Sequence, residues 1–179
     1  GRMTIMEPTR RFTSLWPAVA LFDLDGTLVD STPDLTTAVD QMLDSLGRAT
    51  VGEEQVRKWV GNGAQVLVRR ALTGRVDWES APPLDESLFK EACDRFFQYY
   101  EAANGQRTTV FEGVEACLQR LRDANCRMAV VTNKPERFVA PLLEQMGLEH
   151  WFEVIIGGDT LPVKKPDAEP LLLAMRTLG

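Results

Sequence analysis

The chain has 179 residues and a formal net charge of −6, with acidic and basic residues interspersed along it. This length is sufficient for one hydrophobic core, alone or with a small added domain. The net negative charge argues weakly against nucleic acid or an anionic membrane as the partner, and no apolar stretch is long enough to span a bilayer. The three cysteines lack metal-ligand spacing, so a reducing, cytoplasmic setting is expected.

The first predicted element is a strand that carries two carboxylates at its end. The apolar run 19–22 favours a buried strand, and the sequence Asp-Leu-Asp-Gly-Thr follows it at 23–27. Because side chains alternate along a strand, Asp23 and Asp25 share one face. Two like charges near a core require compensation, and a metal cation is the usual one at a strand end of an α/β sheet. The alternative is an ordinary Asp-Gly turn after a solvated strand end.

The next segment is predicted to be helical throughout. Apolar residues recur at helical spacing over 33–46, 53–60, 64–72 and 84–103. No strand is predicted between residues 31 and 104. The segment is therefore expected to be a helical insertion between the first and second strands of a sheet, where it would act as a lid over the strand ends.

From residue 113 the pattern alternates between helix and strand. Helices are predicted at 114–124, 135–146 and 167–178, and strands at 128–131 and 152–156. Together with the first strand, this alternation predicts an α/β fold with a doubly wound, Rossmann-like parallel sheet.

Polar side chains follow the second and third strands of this sheet. Thr132 and Asn133 lie between a strand end and a helix N-terminus, where backbone N–H groups and the helix dipole favour an anion. Lys165 follows the third strand and could neutralise a phosphate or hold an acidic pair in place. The alternatives are a helix N-cap for Thr132 or Asn133 and a solvated loop position for Lys165.

In combination, these segments resemble the haloacid dehalogenase superfamily. The segment 23–27 matches its first motif, Asp-x-Asp-Gly-Thr, while Thr132 matches the hydroxyl of its second motif and Lys165 the lysine of its third. The helical insertion is similar to the superfamily's helical cap. Within the superfamily, the chain resembles the bacterial phosphoglycolate phosphatases at Gly-Asn-Gly-Ala (61–64), Val-Thr-Asn-Lys-Pro (131–135) and Gly-Gly-Asp (157–159).

This resemblance implies a domain organisation and an activity. The implied α/β phosphatase core consists of 18–30 and 105–179, with a helical cap over 31–104 and an N-terminal extension, 1–17. The implied activity is Mg²⁺-dependent hydrolysis of a small phosphomonoester, with 2-phosphoglycolate as the first candidate, through an aspartyl-phosphate. A sugar-phosphate mutase or another phosphotransferase of the same superfamily is the alternative. The pattern predicts no particular oligomeric state.

The resemblance also implies roles for individual residues. Asp23 is expected to be the nucleophile and Asp25 the general acid and base. Both are expected to be Mg²⁺ ligands, Asp25 through its backbone carbonyl. Thr132, Asn133 and Lys165 are expected to hold the oxygens of the transferring phosphoryl group.

The glycine-rich turn in the helical segment is a candidate substrate contact. Gly61, Asn62 and Gly63 separate two predicted helices, and glycines allow backbone to approach a small substrate closely. The alternative is a plain interhelical turn.

One motif of the superfamily is not found in the sequence. Its acidic fourth motif supplies further Mg²⁺ ligands and is expected after the helix that ends at residue 178. Gly158 and Asp159 do not take this role, since they precede the third motif. We therefore expect the C-terminal part of the core to lie outside these 179 residues; an inactive fragment is the alternative.

Overall fold

The computed structural model describes residues 3–5, as backbone, and residues 18–179. They form two compact units. One contains the described residues up to Asp30 together with Thr109–Gly179, and the other is Ser31–Thr108. The sequence pattern ends the helical segment at residue 104, whereas the compact unit continues to Thr108.

The elements follow one another in chain order as follows. The strands are β1 (Met3–Ile5), β2 (Val19–Phe22), β3 (Val29–Asp30), β4 (Thr109–Val110), β5 (Arg127–Val131) and β6 (Val154–Ile156). The helices are α1 (Thr32–Ser45), α2 (Glu53–Trp59), α3 (Ala64–Thr73), α4 (Glu86–Ala103), α5 (Val114–Asp123), α6 (Val139–Gln145) and α7 (Glu169–Leu178). None of the helices in the described part of the chain has the length and apolar character needed to cross a bilayer.

The main sheet brings the carboxyl ends of three strands together. Its order is β1-β2-β5-β6, in which β2, β5 and β6 are parallel and β1 runs antiparallel at one edge. Phe22 pairs with Val130, and Val131 pairs with Ile156. The residues that follow these strands therefore meet at one edge of the sheet, where α/β proteins place their ligand sites.

Helices cover both faces of this sheet. Phe22 and Val130 pack with α5 and α6 in one hydrophobic core. Leu21 and Val131 point to the opposite face and pack with α7 in a second core. Because neighbouring residues of each strand are buried on opposite faces, the structure confirms the predicted doubly wound α/β fold.

Three short strands were not predicted. β1 belongs to the predicted N-terminal extension, yet it pairs with β2; residues 1–2 and 6–17 of that extension lie outside the described residues. β3 and β4 form a separate two-stranded ribbon, with Val29 opposite Val110. Strands of two or three residues are too short to give a recognisable hydrophobic period.

The helices predicted to begin at residues 33, 84, 135 and 167 begin elsewhere in the structure, the first at Thr32 and the last at Glu169. The segment predicted as one helix at 135–146 is a 3₁₀ turn, Glu136–Phe138, followed by α6. The helix predicted from residue 84 begins at Glu86, because the Asp85 side chain accepts a hydrogen bond from the Ser87 N–H and caps the first turn.

As predicted, no strand occurs within residues 31–104, all of which the structure describes. α1 packs along α4, and the rings of Phe96 and Tyr100 are stacked with centroids 5.7 Å apart. Phe96 and Tyr100 are each 1% exposed, so α4 carries its aromatic face into the core of this unit.

A buried carboxylate ties the end of the helical unit to its first helix. Asp34, in the first turn of α1, is only 1% exposed. It accepts hydrogen bonds from the backbone N–H groups of Gly105 (3.1 Å) and Arg107 (2.9 Å) and from the Thr108 hydroxyl (2.6 Å). These bonds explain why the unit continues beyond the end of α4 to Thr108.

We expect Asp34→Ala to lower the free energy of unfolding by about 2–4 kcal/mol, because the buried donors would lose a charged acceptor. Urea unfolding followed by circular dichroism measures this change. Asp44→Ala, at an exposed position of the same helix, is the control and should change the free energy of unfolding by less than about 0.5 kcal/mol. Equal effects of the two substitutions would contradict the assignment of Asp34.

Candidate active site

The two predicted carboxylates lie in a tight loop after β2, which ends at Phe22, and not on one face of the strand as the alternation predicts. The loop is closed by hydrogen bonds from the Gly26 N–H to the Val29 carbonyl (2.9 Å) and from the Leu28 N–H to the Leu24 carbonyl (3.0 Å). Gly26 has φ +81°, a conformation that favours glycine. Leu24 and Leu28 are buried in the core below the loop, so the loop is anchored by apolar side chains on both sides of its turn.

Each of the two carboxylates is paired with a lysine from a different loop. Lys134 Nζ, after β5, lies 3.0 Å from Asp25 Oδ1, and Lys165 Nζ, after β6, lies 3.4 Å from Asp23 Oδ2. The Lys134 and Asp25 side chains are 3% and 11% exposed, which makes theirs the more enclosed pair. Positive charge from two neighbouring strand ends thus compensates the acidic pair.

Lys134 was not predicted as a site residue. The one feature of the sequence that points to Lys134 is its position directly after Thr132 and Asn133, at the end of a predicted strand. Sequence reasoning assigned that strand end to a hydroxyl and an amide, and it did not assign a partner to the lysine that follows them.

The predicted residues Thr132, Asn133 and Lys165 lie on the two loops whose lysines contact the carboxylates. Thr132 is buried, and its hydroxyl accepts a hydrogen bond from the Lys134 N–H at 3.1 Å. This bond shapes the turn after β5 rather than capping α6. The Asn133 side-chain amide donates to the Lys165 carbonyl at 3.1 Å and so links the two loops.

The loop after β6 contains two adjacent lysines, Lys164 and Lys165. Burial lowers the pKa of Lys164 from its ordinary value, since the charged form loses solvation. The ammonium group of Lys165, the next residue, lies within 3.4 Å of Asp23 Oδ2. Lys165 is the residue of this pair that the sequence predicts to bind phosphate, and that role stays a prediction.

The predicted substrate turn lies in the helical unit and is shaped by an arginine. Arg70 Nη1 donates to the Trp59 carbonyl (2.8 Å) and to Asn62 Oδ1 (2.9 Å). Gly61 and Gly63, on either side of Asn62, have φ of +124° and +93°. Arg70 therefore holds the turn between α2 and α3 in one conformation, a role that the sequence pattern did not reveal.

The carboxylates offer oxygen ligands suited to Mg²⁺. Among residues 18–179, no cluster of three or more histidine, cysteine or acidic side chains is arranged to hold a metal ion. Asp23 and Asp25 supply two carboxylates and the Asp25 backbone carbonyl on one loop. Mg²⁺ is commonly bound through one or two carboxylates, with waters and phosphate oxygens in its remaining positions, so these residues fit that ion.

Comparison with known families agrees with this arrangement of motifs. A family model described as haloacid dehalogenase-like hydrolase matches residues 20–179. The chain belongs to the haloacid dehalogenase-like hydrolase family. The resemblance predicted from the sequence is thereby confirmed.

Two similar curated proteins are both named phosphoglycolate phosphatase. A phosphoglycolate phosphatase of Pseudomonas putida is 52% identical over 168 residues, which cover 94% of this chain and 60% of the relative. Phosphoglycolate phosphatase 1 of Pseudomonas aeruginosa is 49% identical over 177 residues, which cover 99% of this chain and 63% of that protein. The chain thus spans about 60% of the length of the curated relatives it matches.

Solved structures of haloacid dehalogenase-like hydrolases share the fold. A crystal structure from Haemophilus somnus, described as a predicted phosphoglycolate phosphatase, is 34% identical with a TM-score of 0.79. The match covers 89% of this chain and 70% of that one. A putative phosphoglycolate phosphatase from Lactobacillus delbrueckii is 26% identical with a TM-score of 0.80, and 89% of this chain and 72% of that one are covered.

We expect Lys134→Met to lower the free energy of unfolding by about 2 kcal/mol, because it leaves the enclosed Asp25 carboxylate without its cation. A double-mutant cycle with Asp25→Asn should return a coupling energy of about 1 kcal/mol or more, measured by urea unfolding.

The control for this cycle is Lys90→Met, at an exposed position of α4. Its effect should add to that of Asp25→Asn without coupling. Strict additivity of Lys134→Met and Asp25→Asn would show that the ion pair does not contribute to stability.

Proposed function

We propose that this chain forms the catalytic part of a Mg²⁺-dependent phosphomonoester hydrolase that converts 2-phosphoglycolate to glycolate and phosphate. The observation that carries the proposal is the convergence of two carboxylates and two lysines at the ends of three parallel strands. Membership of a hydrolase family and the names of relatives at about 50% identity support the choice of reaction and substrate.

In the proposed reaction Asp23 is the nucleophile. One of its carboxylate oxygens forms a bond to phosphorus while the bond from phosphorus to the glycolate oxygen breaks, which gives an aspartyl-phosphate. The hydrogen bond from the Leu24 N–H to Asp23 Oδ1 (2.8 Å) and the contact of Oδ2 with Lys165 hold this carboxylate in one orientation. Such preorganisation lowers the barrier by fixing the attacking group in place.

Asp25 is the proposed proton carrier. In the first step it gives a proton to the departing glycolate oxygen, and in the second it takes a proton from the water that hydrolyses the aspartyl-phosphate. Lys134 keeps the side chain within the site and compensates its charge whenever it is ionised. The same residue can therefore serve both half-reactions without leaving its position.

Thr132, Asn133 and Lys165 are proposed to bind the phosphoryl oxygens. Most of the catalytic gain in phosphoryl transfer comes from positioning and charge stabilisation, which suits a hydroxyl, an amide and an ammonium on two linked loops. Asp23 and Asp25 would hold Mg²⁺. When bound, this ion supplies positive charge that offsets the repulsion between the nucleophile and the phosphate.

We also propose that the Gly61-Asn62-Gly63 turn takes part in the choice of the leaving group. Its support is local: the two positive-φ glycines leave backbone uncovered by side chains, and Arg70 fixes the turn through Asn62.

The three cysteines are free thiols, which supports a cytoplasmic location.

We expect Asp23→Asn to reduce phosphate release from 2-phosphoglycolate by at least about 10³-fold, because the amide is a far weaker nucleophile than the carboxylate. The measurement is orthophosphate release by the intact protein with Mg²⁺. Asp123→Asn, at an exposed position of α5, is the control and should retain wild-type activity. Substantial activity in Asp23→Asn would overturn the nucleophile assignment, and phosphoryl transfer without orthophosphate release would favour a mutase.

Removal of divalent metal should abolish the same activity. We expect orthophosphate release to stop with excess EDTA and to return on addition of Mg²⁺, because two anions would otherwise meet without compensation. Ca²⁺, which prefers more ligands at longer distances, should not restore it. Undiminished turnover in EDTA would contradict the proposed Mg²⁺ dependence.

A further inference from the structure

A turn after β6 is packed directly against the loop that carries Thr132. The turn consists of Gly157, Gly158, Asp159 and Thr160, and we call it the 157–160 turn. A Cβ added to Gly158 would lie 2.1 Å from the Asn133 carbonyl oxygen, and one added to Gly157 would lie 2.5 Å from Glu136 Cα. Both distances are far below van der Waals contact, so the two backbones approach each other as closely as glycine allows.

Hydrogen bonds join the same two segments. The Gly158 N–H donates to the Lys134 carbonyl at 2.7 Å, and the Glu136 N–H donates to Asp159 Oδ1 at 2.8 Å. The Thr160 hydroxyl accepts from the Gly157 N–H (2.8 Å) and donates to Glu136 Oε2 (2.7 Å). Thr160 thus closes its own turn and holds the neighbouring loop with one side chain.

These contacts hold the loop that carries two of the residues proposed to bind phosphate, Thr132 and Asn133. The loop 132–136 is fixed at Asn133 and Lys134 by the glycines and at Glu136 by Asp159. The same loop carries the Thr132 hydroxyl, which accepts from the Lys134 N–H, and the Asn133 amide, which donates to the Lys165 carbonyl. A shift of the 157–160 turn would therefore move the Thr132 hydroxyl, the Asn133 amide and the Lys134 backbone together.

We propose that Asp159 is a positioning residue for phosphoryl transfer, acting through the Glu136 backbone on the conformation of the loop 132–136. The inference rests on the proposed phosphatase function. Asp159 is exposed and its contact is with a backbone N–H, so its substitution removes one hydrogen bond and disturbs no core packing. Small displacements of a loop that holds reacting groups reduce turnover more than substrate binding, because the fully aligned geometry is needed only in the transition state.

Asp159→Ala tests this inference. We expect about a fivefold fall in kcat for orthophosphate release from 2-phosphoglycolate, with KM changed by less than about twofold. Asp159→Asn keeps an oxygen acceptor for the Glu136 N–H and should restore kcat to within about twofold of wild type. Thr160→Val and Thr160→Ser form an independent pair of variants. We expect kcat to fall in Thr160→Val, which lacks the hydroxyl, and to stay near the wild-type value in Thr160→Ser, which keeps it.

A structural measurement separates this inference from the proposed reaction. Hydrogen exchange of the Lys134 N–H, which is bonded to Thr132 Oγ1, should become faster in Asp159→Ala and remain as in wild type in Asp159→Asn. Asp85→Ala removes a similar carboxylate-to-backbone bond at the start of α4 and should change neither this exchange nor kcat.

The possible outcomes separate the two ideas. Absence of orthophosphate release in the wild-type protein would refute the proposed function, while faster exchange at Lys134 would still support the coupling of the two segments. Unchanged exchange and unchanged kcat in Asp159→Ala would overturn the inference. Equal losses in the alanine and asparagine variants would also overturn it, since the acceptor atom would then not be the cause.

Discussion

Two carboxylates at the end of one strand must be compensated by positive charge, and the α/β unit is arranged to supply it. Asp23 and Asp25 project from a loop anchored by buried leucines, so they cannot separate without disturbing the core. Their cations come from the two strands that follow β2 across the sheet, as Lys134 and Lys165. The parallel order of these strands is therefore a requirement of the site as well as of the fold.

The two ion pairs differ in a way that suits different tasks. The pair of Lys134 with Asp25 is nearly enclosed, which in the proposed reaction would keep the Asp25 carboxylate in place through both steps. Lys165 and Asp23 are more exposed and their charged atoms lie farther apart, at 3.4 Å. In the proposed reaction, the phosphate of the substrate would therefore meet the Asp23 pair with less loss of existing contacts.

Both compact units use charged side chains to fix irregular backbone. Asp34 binds backbone N–H groups at the end of the helical unit, and Arg70 binds carbonyl oxygens around the turn between α2 and α3. Asp159 does the same for the loop after β5. The backbone of a loop lacks the regular hydrogen bonds of a helix or a sheet. A charged side chain that hydrogen-bonds to the N–H or carbonyl groups of the loop therefore favours a single loop conformation.

The strands that bear the site, the helical insertion and the position of the acidic pair could all be predicted from local sequence patterns. These patterns are the hydrophobic period and the Asp-Leu-Asp-Gly-Thr segment that directly follows the first strand. The contact of Lys134 with Asp25 and the fit of the 157–160 turn against Asn133 become visible only in the folded chain. Lys134 and Asp25 are 109 residues apart, and their contact depends on the order and register of three strands, which no local pattern encodes.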